Sequence, residues 1–73
     1  MQGIFKRALL SGTPIEMIYL SKKQIITQRI VTIKKVDQDR VLGICHQSNQ
    51  IRMFNLENIL SVTARPDEEK RYG

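Results

Sequence analysis

Residues 25–36 run without a single glycine or proline, with apolar side chains at strand spacing. Such a stretch reads as one long β-strand, and a strand needs partners. The flanking chain supplies short ones. Ile15-Glu16-Met17-Ile18-Tyr19-Leu20 is rich in β-branched and aromatic residues, and its Ile15, Met17 and Tyr19 share one face at period two. Ser21-Lys22-Lys23-Gln24 forms a short polar turn between the two strands. Asp37-Gln38-Asp39 is the next turn, and residues 41–46 are a third strand in which Gly43 marks a bend or a close backbone approach. Gln47-Ser48-Asn49-Gln50 turns again into a fourth strand, Ile51-Arg52-Met53-Phe54. One helical turn, Asn55-Leu56-Glu57-Asn58, with Asn55 as a candidate N-cap, leads to a fifth strand over residues 59–63. Within the long strand the apolar positions change face, from Ile26 and Ile30 to Val31 and Ile33. That change predicts a bulge or bend near Ile30-Val31.

Before the strands lies one helical segment, residues 2–10. Ile4, Phe5, Ala8 and Leu9 form a stripe at helical period, with Lys6 and Arg7 off it. Gly12 and Pro14 end the helix, the first suited to a left-handed C-terminal position and the second unable to continue it. A helix this short must dock on something. Small sheets of strongly bent strands tend to close and so remove their exposed edges. The expectation is therefore a mainly β chain with one N-terminal helix, a small five-stranded SH3-like or Sm-like barrel. Residues 1–64 make its single domain, and residues 65–73 a polar, mobile tail.

Composition narrows the function. Hydrophobic residues at 41% and charged residues at 26% are ordinary for a globular domain. There is no Trp, so the core must be mostly aliphatic. The longest apolar run, Met17-Ile18-Tyr19-Leu20, is far too short to cross a bilayer, which takes about 20 residues. Residues 1–20 also lack the apolar centre of a secretory signal. A lone cysteine cannot form an internal disulfide, so a reducing cytoplasm is the expected compartment, with no membrane partner. Residues 1–64 carry nine Lys and Arg against four acids, and residues 65–73 are neutral, so the whole net charge of +5 sits on the folded body. A basic body is a reason to consider a polyanion partner.

Catalytic chemistry finds no foothold. Cys45 and His46 are sequence neighbours, and neighbours on a strand point to opposite faces, so they cannot pair as nucleophile and base. Neither has a second ligand pair at metal-binding spacing, and no glycine-rich phosphate loop exists. Cys45 reads as a small core residue. The chain is read as non-enzymatic, with no cofactor and no metal.

Three residues break the strand pattern. Arg29 lies within the long apolar strand, Arg52 within the short fourth strand, and Tyr19 ends the first apolar face. A strand arginine must reach solvent, a carboxylate or an anion, because burying it unpaired is costly. Guanidinium forks match phosphate geometry. The plainer alternative is that each arginine covers apolar surface with its stem and pairs with Glu16 or Glu57.

The stretches Ile18-Tyr19, Gln28-Arg29-Ile30-Val31, Val41-Leu42-Gly43-Ile44-Cys45 and Ile51-Arg52-Met53-Phe54-Asn55-Leu56-Glu57-Asn58-Ile59 together resemble a minimal WYL domain. The similarity runs over residues 15–62, and its most specific part is residues 52–59. Asp39-Arg40-Val41 stands where the family has its namesake triplet. The resemblance implies an Sm/SH3-like barrel used in bacterial transcription regulation, where it senses a ligand or binds nucleotides or single-stranded nucleic acid. Carried over by position, Arg29 and Arg52 would line an anion site, with Tyr19 as a stacking or hydrogen-bonding neighbour and His46 as an accessory. Lys34 and Lys35 would flank it, and Phe54, Leu56 and Ile59 would be core. The alternative is a protein-interaction module, homodimeric or docked on a larger regulator, that uses Phe5 and Leu9 of the helix and an open strand edge.

Overall fold

The computed structural model describes residues 2–64, with side chains from Gly3 onward. The tail expected over residues 65–73 lies outside them. One helix, α1 (Gln2–Ser11), precedes five strands: β1 (Ile15–Leu20), β2 (Ile26–Val36), β3 (Arg40–Cys45), β4 (Gln50–Asn55) and β5 (Ile59–Ala64). A single 3-10 turn, Leu56–Asn58, joins β4 to β5. The strands form one antiparallel sheet in the order β4-β3-β2-β1-β5. The chain is thus mainly β with one N-terminal helix, as the alternation in the sequence predicts.

The local reasons are plain in the turns. After α1, Gly12 adopts φ +73° and its N–H bonds the Ala8 carbonyl at 2.9 Å, so the helix ends in a left-handed residue that glycine accepts without strain. In the β1–β2 turn Gln24 takes φ 66°, and the Ser21 hydroxyl accepts hydrogen bonds from the N–H groups of Lys23 and Ile25. The serine thus supplies the turn chemistry that no Gly or Pro provides here. Asn49, at φ 57°, does the corresponding work between β3 and β4.

Register sorts the side chains into two faces. Ile15, Met17, Val31, Ile33, Val41, Cys45, Phe54 and Ile59 are buried on one face, and α1 closes over them with Phe5 and Ala8. No polar or charged residue is fully buried among the described residues. The opposite, outer face carries Ile26, Ile51 and Met53, each more than half exposed. This corrects the bulge expected near Ile30-Val31. The β1–β2 register runs unbroken from Ile15↔Val31 to Leu20↔Ile26, so Ile26 and Ile30 lie on the outer face because that face is itself apolar. The irregularity in β2 lies further on, between Ile33 and Lys35, and a second one lies between Ile18 and Tyr19 where β1 meets β5.

The sheet curls. Tyr19 of β1 meets Phe54 of β4 edge to face at 5.0 Å between ring centres, although β2 and β3 lie between their strands in the sheet. Only a strongly rolled sheet brings those two strands' core faces together. Yet among the described residues β4 and β5 share no backbone ladder and stand at the two ends of the sheet, so the roll is a half-closed barrel rather than a hydrogen-bonded cylinder. Gly43 permits the tight curvature at its centre. A Cβ there would strike Val31 Cγ1 and stand 2.7 Å from the Thr32 carbonyl oxygen, which is the close backbone approach its position suggests.

Candidate anion-binding site on the core face

Arg29 shares the parity of Val31 and Ile33, so its side chain leaves β2 on the core face. It is half-buried. Its Nε donates to Thr27 Oγ1 at 3.1 Å, one Nη reaches Cys45 Sγ at 4.0 Å, and its guanidinium carbon stands 5.8 Å from the centre of the Phe54 ring. Phe54 is in turn held by the Tyr19 ring, and the Tyr19 hydroxyl accepts the Asn55 N–H at 3.3 Å. A cation, an aromatic face and a phenol therefore converge where β1, β2 and β4 meet.

Arg52 falls on this same face. Register carries the core-face set across the sheet as Ile33↔Gly43 and Gly43↔Arg52, and Arg52 is two residues from buried Phe54 on β4. It is exposed, lying beyond the buried layer. Among the described residues no side-chain ion pair forms, so neither arginine is matched to Glu16 or Glu57. The pairing in the plainer alternative is absent here.

The other expected contributors go elsewhere. His46 bonds Thr32 Oγ1 at 2.7 Å, and Thr32 alternates with buried Val31 and Ile33, so the imidazole sits on the outer face, away from Arg29. Lys34 and Lys35 are exposed at the β2 irregularity, with Lys35 registered opposite Leu42. The two lysines contribute to the basic field of the body, and none of the three residues touches the core-face cluster. Phe5 is fully buried within its own chain, so a helix-mediated dimer cannot use it; Leu9 remains partly exposed.

Two participants escape sequence reading. Thr27 is the residue two before Arg29 on the same strand face, and that spacing could have flagged it. Cys45 supplies the second contact, which depends on the β2–β3 register. Burial is the largest influence on the Cys45 thiol and disfavours its ionisation. Hydrogen bonding by the backbone at Gln47 and Ser48, together with the Arg29 guanidinium, outweighs that effect and holds its pKa below the ordinary thiol value. The thiol also donates to Gln47 Oε1 at 3.1 Å, and the Gln47 amide donates to the Gln28 carbonyl at 3.1 Å, tying the β3–β4 turn to β2.

A surface depression of about 530 Å³ lies away from this cluster, lined by Gln38, Asp39, Arg40, Asn55, Leu56 and Glu57. Its one cation is outnumbered by two carboxylates, so it is a poor place for an anion. The shallow core-face cluster is the better candidate on chemistry, although the larger volume lies elsewhere.

No family model matches the chain, and no curated protein matches it. Among solved structures, the fold is similar to part of proteasome accessory factor B/C (PafBC) of Arthrobacter aurescens, with a TM-score of 0.77 and 20% identity. The match covers 89% of this chain and 11% of that one, so the chain spans about a tenth of that protein's length. At that identity the likeness shows a shared fold. Among the described residues no helix is long and apolar enough to cross a membrane.

Proposed function

We propose that the chain is a non-enzymatic, WYL-like regulatory module of the cytoplasm that binds the phosphate of a nucleotide or of single-stranded nucleic acid on the core face, through Arg29 and Arg52. The observation that carries this reading is the half-buried Arg29 guanidinium, which has no carboxylate partner among the described residues. A partly desolvated cation without a counter-ion is costly, and a phosphate supplies the missing charge with matching geometry. Arg52 on the same face adds a second cation, and Tyr19 beside Phe54 offers an aromatic edge to a base. The +5 body attracts such ligands from a distance. The fold shared with a segment of a much larger protein supports a role as a module associated with a larger regulator.

Fluorescence anisotropy with a labelled oligothymidylate tests it. Affinity should fall as salt rises, because phosphate contacts release counter-ions. The Arg29→Ala, Arg52→Ala double variant should lose binding, and unchanged binding would remove both residues from the mechanism. Competition by a mononucleotide separates a single-phosphate site from one that tracks a strand.

A further inference from the structure

We infer that the free edge of β4 takes up an extended peptide from a protein partner as an added strand, with an acidic residue opposite Arg52 between two apolar residues beside Ile51 and Met53. The hydrogen-bond pattern on β4 carries this, and the position of the acidic residue uses Arg52, which the core-face site also uses. The Leu56 N–H bonds the Asp39 carbonyl at 2.8 Å, which continues the β3–β4 ladder one pair beyond Arg40↔Asn55. In an antiparallel ladder, pairs alternate between hydrogen-bonded and non-bonded. Arg52 and Phe54 therefore bond to β3, while Ile51, Met53 and Asn55 aim their main-chain groups away from it. The Asn55 N–H confirms the direction, because it is spent on the Tyr19 hydroxyl across the roll. Ile51 and Met53 are left with N–H and C=O groups facing outward, and among the described residues no strand covers them.

Their side chains say what fits. Ile51 is 66% exposed and Met53 56% exposed, both on the outer face beside half-buried Ile44 and Leu42. Next to Met53 lies a depression of about 250 Å³ lined also by Val41, Leu42, Lys35, Arg40 and Asp37, with an Arg40 Nη 3.5 Å from Met53 Sδ. Between Ile51 and Met53, Arg52 presents its charge to the other face. An incoming strand alternates its side chains in the same way. It therefore meets apolar surface edged by Lys35, Arg40 and a single carboxylate, Asp37, on one side and the Arg52 guanidinium on the other.

A second copy of the chain is the poorer occupant. A two-fold pairing that uses both Ile51 and Met53 sets two copies of Arg52 directly across from each other in a close non-bonded pair, where like charges repel. A foreign strand with Glu or Asp at that position turns the repulsion into attraction.

The test uses the full chain labelled with nitrogen-15 and three capped pentapeptides, Thr-Val-X-Val-Thr, with X as Glu, Gln or Lys. In the free chain the amides of Ile51 and Met53 should exchange with solvent faster than those of Arg52 and Phe54; equal protection would mean that the edge is already covered and would overturn the proposal. On titration the shifts should centre on Ile51 and Met53. The Glu peptide should bind about three- to fivefold tighter than the Lys peptide. Arg52→Glu should invert that order. Met53→Pro removes an outward N–H without touching the β3 ladder, so it should fold and lose the peptide. An order indifferent to X, or no shifts at millimolar peptide, overturns the proposal. So does concentration-dependent self-association that protects the same amides, which assigns the edge to a second copy. The oligothymidylate titration run alongside separates the two readings: loss of the peptide order with oligonucleotide binding intact defeats the edge proposal alone.

Discussion

The Arg29 guanidinium carbon lies 5.8 Å from the centre of the Phe54 ring, and the same ring receives Tyr19 edge-on at 5.0 Å. Phe54 is thus both a core residue and the surface against which the candidate anion-binding cation is steadied. Replacing it with leucine keeps much of the apolar volume and removes the ring quadrupole. Phe54→Leu should cost about 1–3 kcal/mol, combining the aromatic pair and the cation–π contact, and should weaken oligothymidylate binding with Arg29 still present. Urea unfolding and anisotropy on the same variant check both effects; full retention of affinity would detach Phe54 from the site.

Tyr19 tests the roll of the sheet. Its hydroxyl accepts the Asn55 N–H at 3.3 Å, a hydrogen bond between β1 and β4 beside the ring contact. Tyr19→Phe keeps the edge-to-face packing and deletes that acceptor. The expected loss is about 0.5–1.5 kcal/mol, with the fold intact. Amide exchange at Asn55 should quicken while that at Phe54 stays slow. Unchanged exchange at Asn55 would mean that the bond is not formed in solution.

Gly43 tests the curvature. Its two tightest neighbours, Val31 Cγ1 and the Thr32 carbonyl, belong to β2, and the carbonyl is backbone that cannot swing aside. Gly43→Ala should therefore destabilise by about 1–3 kcal/mol through overpacking, even though alanine is ordinarily no worse than glycine in a strand. A stability equal to the wild type in urea would show that β2 and β3 separate easily at that point.

The elements were legible because strand alternation and chain breakers agree in this sequence. Gly12 and Pro14 close α1, and short polar turns separate the first four strands. The face of each residue was legible only where one side of a strand is polar. On β2 both faces are apolar, so Ile26 and Ile30 looked like a broken pattern when they simply lie outside. That Arg29 and Arg52 share a face depends on the registers of two successive ladders through β3, which no local pattern encodes. The same holds for His46, whose position past the end of β3 gave no sign that Thr32 would hold it on the far side. Asn55 illustrates a different failure. Its residue type suits an N-cap, but its side chain makes no capping bond; the contact it does make is through its backbone N–H, to the Tyr19 hydroxyl.

Cys45 gives the pH dependence. It is 1% exposed, and burial alone would raise its pKa; hydrogen bonding at Gln47 and Ser48 and the nearby Arg29 guanidinium reverse the balance and lower it. A thiol whose folded pKa lies below its unfolded value stabilises the fold when ionised. That contribution is complete above the unfolded pKa and disappears as pH falls through the folded one. The stability difference between the wild type and Cys45→Ser should therefore widen as pH is raised from neutral into the alkaline range, read as urea midpoints at matched ionic strength. Arg29→Ala removes one of the influences that lower the pKa, so in that background the widening should begin at higher pH. A difference that stays flat with pH in the wild-type background would show that Arg29 and the Gln47-Ser48 turn do not favour the thiolate, and would loosen the tie between Cys45 and the cation beside it.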